Sequence, residues 1–546
     1  MNRGAHDAPV AVIVDFLERA VQHDPQGAAI RILRDSRVEH VEYAQLLQRV
    51  VLFALHLRST VGQKQNVGLL CDMDDAWLVG FFSILLSGNI VVPVNVHVPT
   101  DQMLRDLADS QVAAIVAARE GMPWAANVNA ECPVLIEHHA MAAGVNIDES
   151  LAYLRGSITP DDIAVVVATS GTSGHHRWVI LTHRNMVSDA LLAVELIGQG
   201  AINQGESILA PLPPYHMYQV TIGCLVPMYF GAAICCVQDM RQLRHGFRLF
   251  EPAGIIAVPQ MVEGLFKAVH AQVTPLGRLG LALGMVVSGF LARLGLDIRR
   301  VVFRRLIQSF GGRLRIMVSG GAFLSERYVS WFERIGVNLL VGYGITECSP
   351  LVSCNQLVAT RKGSVGKTVD SYCQIRIDDG EILVKGPIVF QGYVDDPEAT
   401  AACVVDGWFK TGDLGYIDPE GYLFITGRKK SLLVLSDGNN VAPEEIESLL
   451  EKHEIVEQAL VALSDDRQAF LEAVVYVADS FRQSCNDPHE MQAMLSRIRE
   501  QVNREVQPHK RLVRIAESSQ PFSTNELGKV LRYQYVSTKG VFQDAG

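Results

Sequence analysis

The segment TSGTSGHHRWVILTHRN, Thr169 to Asn185, crowds four hydroxyl side chains and two glycines into its first six residues, directly after the apolar run IAVVVAT. Small residues let backbone N–H groups approach a phosphate chain, and hydroxyls add further hydrogen bonds. Phosphate binding is one reading of Thr169, Ser170, Gly171, Thr172, Ser173 and Gly174, and an ordinary Gly/Ser turn is the other. A Walker loop is excluded, because GxxxxGK followed by Ser or Thr does not occur in the segment. A second segment, VGYGITECSP at Val341 to Pro350, sets an aromatic, a hydroxyl and a carboxylate among glycines. Tyr343 could stack on a base, Thr346 could bond a phosphate oxygen and Glu347 could hold Mg²⁺ through oxygen. A third, GWFKTGDLGYID, is expected to set Asp413 in a tight turn, and GRKKS follows with Arg428. A carboxylate and a guanidinium suit ribose hydroxyls and phosphate oxygens, or simply each other in a surface ion pair.

These groups need a frame that brings distant segments together. Val- and Ile-rich runs such as Ile163 to Thr169 and Leu314 to Gly321 alternate with helical patterns, which predicts buried parallel strands in an α/β architecture. A chain of 546 residues exceeds one core, so at least two domains are expected. Short strand-like pieces with turn signals at Pro419-Glu420-Gly421 and Asp437-Gly438 mark a change of character after Asp413. A small domain is expected from near Lys430. Pro443 opens a helix with Glu444 and Glu445 in its first turn, and a Lys/Arg-bearing loop is expected from Lys510 to Arg532.

Composition narrows the function. With 49% hydrophobic and 20% charged residues the chain reads as a soluble globular protein, and a net charge of -11 argues against general nucleic-acid binding. The ten cysteines form no CxxC pair, and Cys235 and Cys236 sit in an apolar run, as small core residues do; a reducing cytoplasm fits. The N-terminus does not read as a secretory signal, and prolines and glycines break the long uncharged run between Glu206 and Asp239.

In combination, TSGTSG, PLPPYHMY, SGGA, YGITE, GWFKTGD, GRKK and LGKVLR stand in the order and spacing of the adenylate-forming superfamily of acyl-CoA synthetases, peptide-synthetase adenylation domains and luciferases, which the chain resembles over nearly its whole length. The resemblance implies a large N-terminal domain, residues 1–429, of stacked α/β subdomains with a β-barrel-like part, and a small mobile α+β domain, residues 430–546. It implies that Thr169 to Gly174 cradle the ATP phosphates with Arg177 beside them. Gly320, Gly321 and Ala322 would flank adenine and the acyl group, and Tyr343 with Gly344 would lie against adenine. Thr346 would bond the α-phosphate, Glu347 would bind Mg²⁺, and Asp413 and Arg428 would grip the ribose. His216 would line the acyl site. Lys529 would bridge carboxylate and α-phosphate, Lys430 would be the hinge, and Gly438 would border a thiol tunnel.

The implied reaction is ATP-dependent activation of a carboxylic acid to acyl-AMP with loss of pyrophosphate, then transfer to the thiol of CoA or of a carrier protein's phosphopantetheine. The chain departs from the family where His176, Arg177 and Trp178 replace the usual Pro, Lys and Gly; Arg177 keeps a cation, and Trp178 puts a large ring in a place of small residues. STNELGK and SDGNNVAP each carry one more residue than the short-chain and luciferase patterns, as in the long-chain fatty-acid branch. Leu265 to Ser319 resembles an insertion of that branch. Its uncharged stretch Leu279 to Ala292, followed by five arginines from Arg293 to Arg305, could lie on anionic lipid or form an amphipathic helix pair on the protein's own core. A medium- or long-chain fatty acid is favoured over an aromatic acid, and CoA over a carrier protein, with Lys510, Arg511 and Arg514 as the cations for either acceptor. An aryl-acid ligase of a secondary-metabolite pathway and a non-catalytic AMP-binding relative are the alternatives. Peripheral contact with the inner face of a membrane is compatible with all of these.

Overall fold

The computed structural model describes residues 10–34, 37–117, 133–135, 144–169, 177–198, 200–237, 242–270, 275–357, 360–435, 439–453, 455–464, 470–482, 485, 487–524, 530–537 and 540–541. Two large sheets dominate the N-terminal part. One has seven strands in the order Gly392–Tyr393, Arg177–Thr182, Ile163–Thr169, Ile90–Pro93, Asn66–Leu70, Ala114–Ala117 and Val134–Leu135. The other has eight, running from Leu351–Cys354 through Asn338–Gly344, Ile316–Ser319, Gly254–Ala257, Ser207–Leu209, Ala233–Cys236 and Ala28–Arg34 to Arg37–Glu42.

The predicted parallel strands are present, because runs such as IMVS and GIIA are buried along their whole length and demand cover on both faces. Ile316–Ser319 is parallel to both neighbours. Ile163–Thr169 is parallel to Ile90–Pro93 on one side and antiparallel to Arg177–Thr182 on the other, so the hydroxyl-rich segment joins the two arms of a hairpin. The side chains of Cys235 and Cys236 are buried as expected, and burial pushes the Cys235 thiol up to about 12.

The part expected to be barrel-like is a five-stranded antiparallel sheet containing Gln374–Asp378, Glu381–Lys385, Val404–Val405, Trp408–Ile417 and Leu423–Arg428. The C-terminal unit has its own core, with Val441, Ile446, Leu450, Val475 and Leu495 buried together. There the helices Pro443–Glu451 and Pro488–Glu505 accompany a sheet of Val456–Leu463, Leu471–Val477 and Leu512–Ser518. The last of these strands corrects the expected Lys510 to Arg532 loop: Leu512 and Ile515 are buried in this core, and the strand pairs in parallel with the central one. The Lys267 ammonium and the Glu457 carboxylate, 2.5 Å apart, join the two units.

A helix, Pro275–Arg293, occupies the stretch that could either pack on the core or lie on lipid. Leu281 and Met285 pack on the main core, but Leu283, Val286, Val287 and Phe290 are exposed. One side of the helix thus packs on the protein's own core, and the outward side is apolar too. Among the described residues no helix is long and apolar enough to cross a membrane.

His183, at the start of the helix His183–Ile197, is buried, and its Nδ1 accepts a hydrogen bond of 3.3 Å from the Ile13 N–H. Burial depresses its pKa from 6.5 to about 4. The unfolded chain therefore binds the proton first as pH falls, so this group's contribution is complete above pH 6.5 and is lost on acidification towards pH 4. The loss should reach about 3 kcal/mol. Urea titrations across that window should show stability rising with pH, with a smaller slope in His183→Gln.

Candidate active site

Asp413 lies in the middle of the strand Trp408–Ile417 and not in the expected tight turn. The TGD triplet still departs from regular geometry, because Gly412 takes a left-handed φ of +72° where the register against Glu381–Lys385 shifts in a bulge. The turn at Pro419-Glu420-Gly421 then returns the chain as Leu423–Arg428, which sets Arg428 directly opposite Asp413. Arg428 Nε donates to Asp413 Oδ1 at 2.7 Å, and the Tyr343 hydroxyl donates to Oδ2 at 2.7 Å. The Asp413 backbone N–H donates to Thr411 Oγ1 at 3.0 Å. Asp413 is only 2% exposed and its carboxylate is held by two donors, while the Arg428 side chain keeps partial access to solvent. Burial, then the neighbouring Asp413 charge, raises the Tyr343 phenol far above its usual range and keeps it a donor.

Tyr343 arrives on the strand Asn338–Gly344, which turns back as Leu351–Cys354. Gly344 is needed at that reversal because a Cβ there would sit 2.2 Å from the Pro350 carbonyl oxygen. A single 3₁₀ turn, Thr346–Cys348, follows and presents Thr346 and Glu347. Glu347 is buried, its Oε1 accepts from the Tyr393 hydroxyl at 2.9 Å, and burial raises its carboxyl pKa. The Arg177 guanidinium faces the Tyr393 ring at 5.2 Å from the centroid. Arg177 opens the return strand opposite Thr169, so a cation of this hairpin and the Glu347 carboxylate meet on one tyrosine.

Tyr393 escaped sequence reasoning. Its Gly-Tyr pair ahead of an acidic turn has no spacing that separates it from a surface loop, and only the pairing of Gly392–Tyr393 with Val179 and Ile180 brings it in. The same pairing resolves the Trp178 departure. Successive strand residues point to opposite faces, so Arg177 is exposed while Trp178 packs in a core with Leu70, Val92 and Val166. The large ring is absorbed by that core.

Gly320, Gly321 and Ala322 follow the strand Ile316–Ser319, with Gly321 at φ +91°. The Tyr218 hydroxyl donates to the Val318 carbonyl at 2.9 Å, tying this strand end to the segment that carries His216. His216 stands just ahead of the short helix Met217–Val220, its ring against Tyr215 at 4.8 Å. Tyr218 stands in the PLPPYHMY motif, but nothing in the sequence pointed to its bond with the Val318 carbonyl. Lys430 is exposed in the 3₁₀ turn Lys429–Ser431, next to the Lys429–Glu381 pair at 2.7 Å. Lys510 and Arg514 are engaged by Glu445 at 2.6 Å and Glu472 at 2.9 Å, which weakens the expected basic patch. Ser170, Gly171, Thr172, Ser173, Gly174, His176, Gly438 and Lys529 lie outside the described residues.

A large α/β unit followed by a small α+β unit is the fold of the adenylate-forming ligases. The chain belongs to the AMP-binding enzyme family: the AMP-binding enzyme domain matches residues 17–394, and the AMP-binding enzyme C-terminal domain matches residues 430–538. It is 29% identical over 503 residues to the long-chain-fatty-acid–CoA ligase FadD15 of Mycobacterium bovis, spanning 87% of this chain and 82% of that protein. It is 33% identical over 339 residues to the long-chain-fatty-acid–CoA ligase 1 of Homo sapiens, spanning 58% of this chain and 48% of that one. Among solved structures, the anthranilate CoA ligase AuaEII in complex with anthranoyl-AMP matches with a TM-score of 0.74 at 19% identity, covering 97% of both chains. The o-succinylbenzoate CoA synthetase MenE of Bacillus subtilis, with ATP and magnesium ion, matches at 0.69 and 21% identity, covering 95% of this chain and 98% of that one.

Proposed function

We propose that this enzyme activates a medium- or long-chain fatty acid with ATP, releasing pyrophosphate, and passes the acyl group from AMP to the thiol of CoA. The Tyr343–Asp413–Arg428 cluster carries this reading, because it sets two fixed polar side chains and an aromatic where a nucleoside needs them. Asp413 accepts from the ribose hydroxyls, Arg428 donates to ribose or phosphate oxygens, and the Tyr343 ring stacks on adenine. Gly320, Gly321 and Ala322 leave room on the far side of the base and for the acyl group. Thr169 to Gly174, with Arg177, surround the β- and γ-phosphates, and Thr346 bonds the α-phosphate.

Glu347 suits Mg²⁺: it is a buried carboxylate with one hydroxyl donor and no ion-pair partner among the described residues, so a hard cation would compensate its charge. Held by Glu347, such an ion would supply positive charge for the phosphates of the nucleotide. The carboxylate of the acid, lined by His216, attacks the α-phosphorus while Lys529 stabilises the negative charge on both partners. Rotation of the small domain about Lys430 then withdraws Lys529, and the thiol enters by a tunnel bordered by Gly438.

Support for a fatty acid comes from the two relatives named for long-chain fatty acids and from the one-residue extensions in STNELGK and SDGNNVAP. The test is pyrophosphate release with MgATP across acetate, octanoate, palmitate and benzoate, with and without CoA. Release that depends on octanoate or palmitate and rises with CoA is expected; release with benzoate alone would overturn the choice of acid. Tyr393→Phe should raise the Mg²⁺ concentration needed for half-maximal rate by about tenfold, since a hydrogen bond to a charged group is worth about 1.5–3 kcal/mol. Direct Mn²⁺ titration in the presence of ATP checks this independently of turnover.

A further inference from the structure

The helix Pro275–Arg293 is apolar on two opposite sides, and only one of them is covered. Leu281, Met285 and Ser288, spaced i, i+4, i+7, face inward: Leu281 and Met285 pack on the core and Ser288 is buried. Leu283, Val286, Val287 and Phe290, spaced i, i+3, i+4, i+7, form the other stripe and are 65%, 70%, 48% and 62% exposed. Leu294, Leu296 and Val301 extend the run of exposed apolar side chains. A helix that needed only to cover its own core would put polar groups on the outer stripe, and a contiguous apolar surface of this kind marks an interaction site.

The charge around the stripe selects the partner. The whole chain is acidic at -11, yet from residue 283 to 315 there are seven arginines and a single acidic residue, Asp297, which is already paired with Arg299 at 2.7 Å. Arg299 and Arg300 are used internally, donating to the carbonyls of Glu333 and Leu314. Arg304 and Arg305, on the next short helix, are exposed. Arg244 and Arg248 line a groove of about 390 Å³ together with Glu251, Phe247, Leu265 and Gln308, so that groove is of mixed charge. The exposed Arg304 and Arg305, which follow the apolar stripe in sequence, match an anionic phospholipid bilayer.

We propose that the exposed face of Pro275–Arg293, together with Arg304 and Arg305, docks this enzyme on anionic membrane, with Leu283, Val286, Val287 and Phe290 inserted among the acyl chains. This holds whichever acid the enzyme activates, so it stands or falls separately from the substrate reading.

The test is co-sedimentation of the full chain with phosphatidylcholine vesicles, with and without phosphatidylglycerol, at low and high salt. The expected result is binding to the mixed vesicles that weakens as salt rises. Val286→Glu/Phe290→Glu should lower vesicle affinity by more than about tenfold, because two side chains no longer leave water. Arg304→Glu/Arg305→Glu should lose the preference for phosphatidylglycerol by about tenfold or more. Both variants should keep the wild-type melting temperature and acid-dependent pyrophosphate release in vesicle-free solution. The proposal is overturned if the wild-type chain stays in the supernatant with both vesicle types, or if both variants bind like wild type. It is also overturned if gel filtration shows a dimer that Val286→Glu/Phe290→Glu dissociates, which would assign the stripe to a second copy of the chain.

Discussion

Lys529→Ala should reduce acid-dependent pyrophosphate release by about 10²- to 10³-fold, a loss of roughly 3 to 4 kcal/mol in transition-state stabilisation. The size follows from the charge: a carboxylate attacking a phosphate brings two anions together, and a preorganised cation is worth most where water is excluded. The drop should fall on kcat more than on the KM for ATP, because the nucleotide is gripped elsewhere. A chemically prepared acyl-adenylate offered with CoA should still yield thioester at near the wild-type rate, since the proposed rotation withdraws the lysine before that step. Equal loss in both half-reactions would make Lys529 a structural residue.

Asp413→Ala should be the most damaging change among the described site residues. It leaves the Tyr343 hydroxyl and Arg428 Nε without the acceptor each meets at 2.7 Å, at a position only 2% exposed. Unfolding stability should fall by about 1–3 kcal/mol, the cost of stranding buried donors. ATP affinity should fall by about 10- to 100-fold, from the loss of one or two hydrogen bonds to a charged acceptor. Asp413→Asn, which keeps an acceptor oxygen without the charge, should recover most of the stability and little of the affinity. Calorimetric ATP titration and thermal melting separate the two effects, and unchanged ATP binding in the alanine variant would remove Asp413 from the nucleotide site.

Much of this site was legible because adenylate chemistry uses local segments whose residue types announce themselves. Tyr343 to Glu347, and Asp413 with Arg428, each draw several groups from one turn or one pair of strands. Asp413 and Arg428 were separable only as candidates, since either alone could be a surface ion pair; their register across a hairpin is a property of two strands and a turn. The bonds made by Tyr393 and Tyr218 were not legible, because their partners lie 46 and 100 residues away in sequence.

The sequence by itself determined the α/β class, the presence of a large and a small unit, the order of the motif-bearing segments and the burial of Cys235 and Cys236, since these follow from local composition, hydrophobic periodicity and motif spacing. Tertiary structure alone decided that Asp413 sits within a strand, that Trp178 turns into a core while Arg177 faces Tyr393, and that the helix Pro275–Arg293 leaves an apolar stripe uncovered. The reason is common to all three. Periodicity states which faces of an element are apolar, but which face meets a neighbour depends on pairing register and on elements that arrive from elsewhere in the chain.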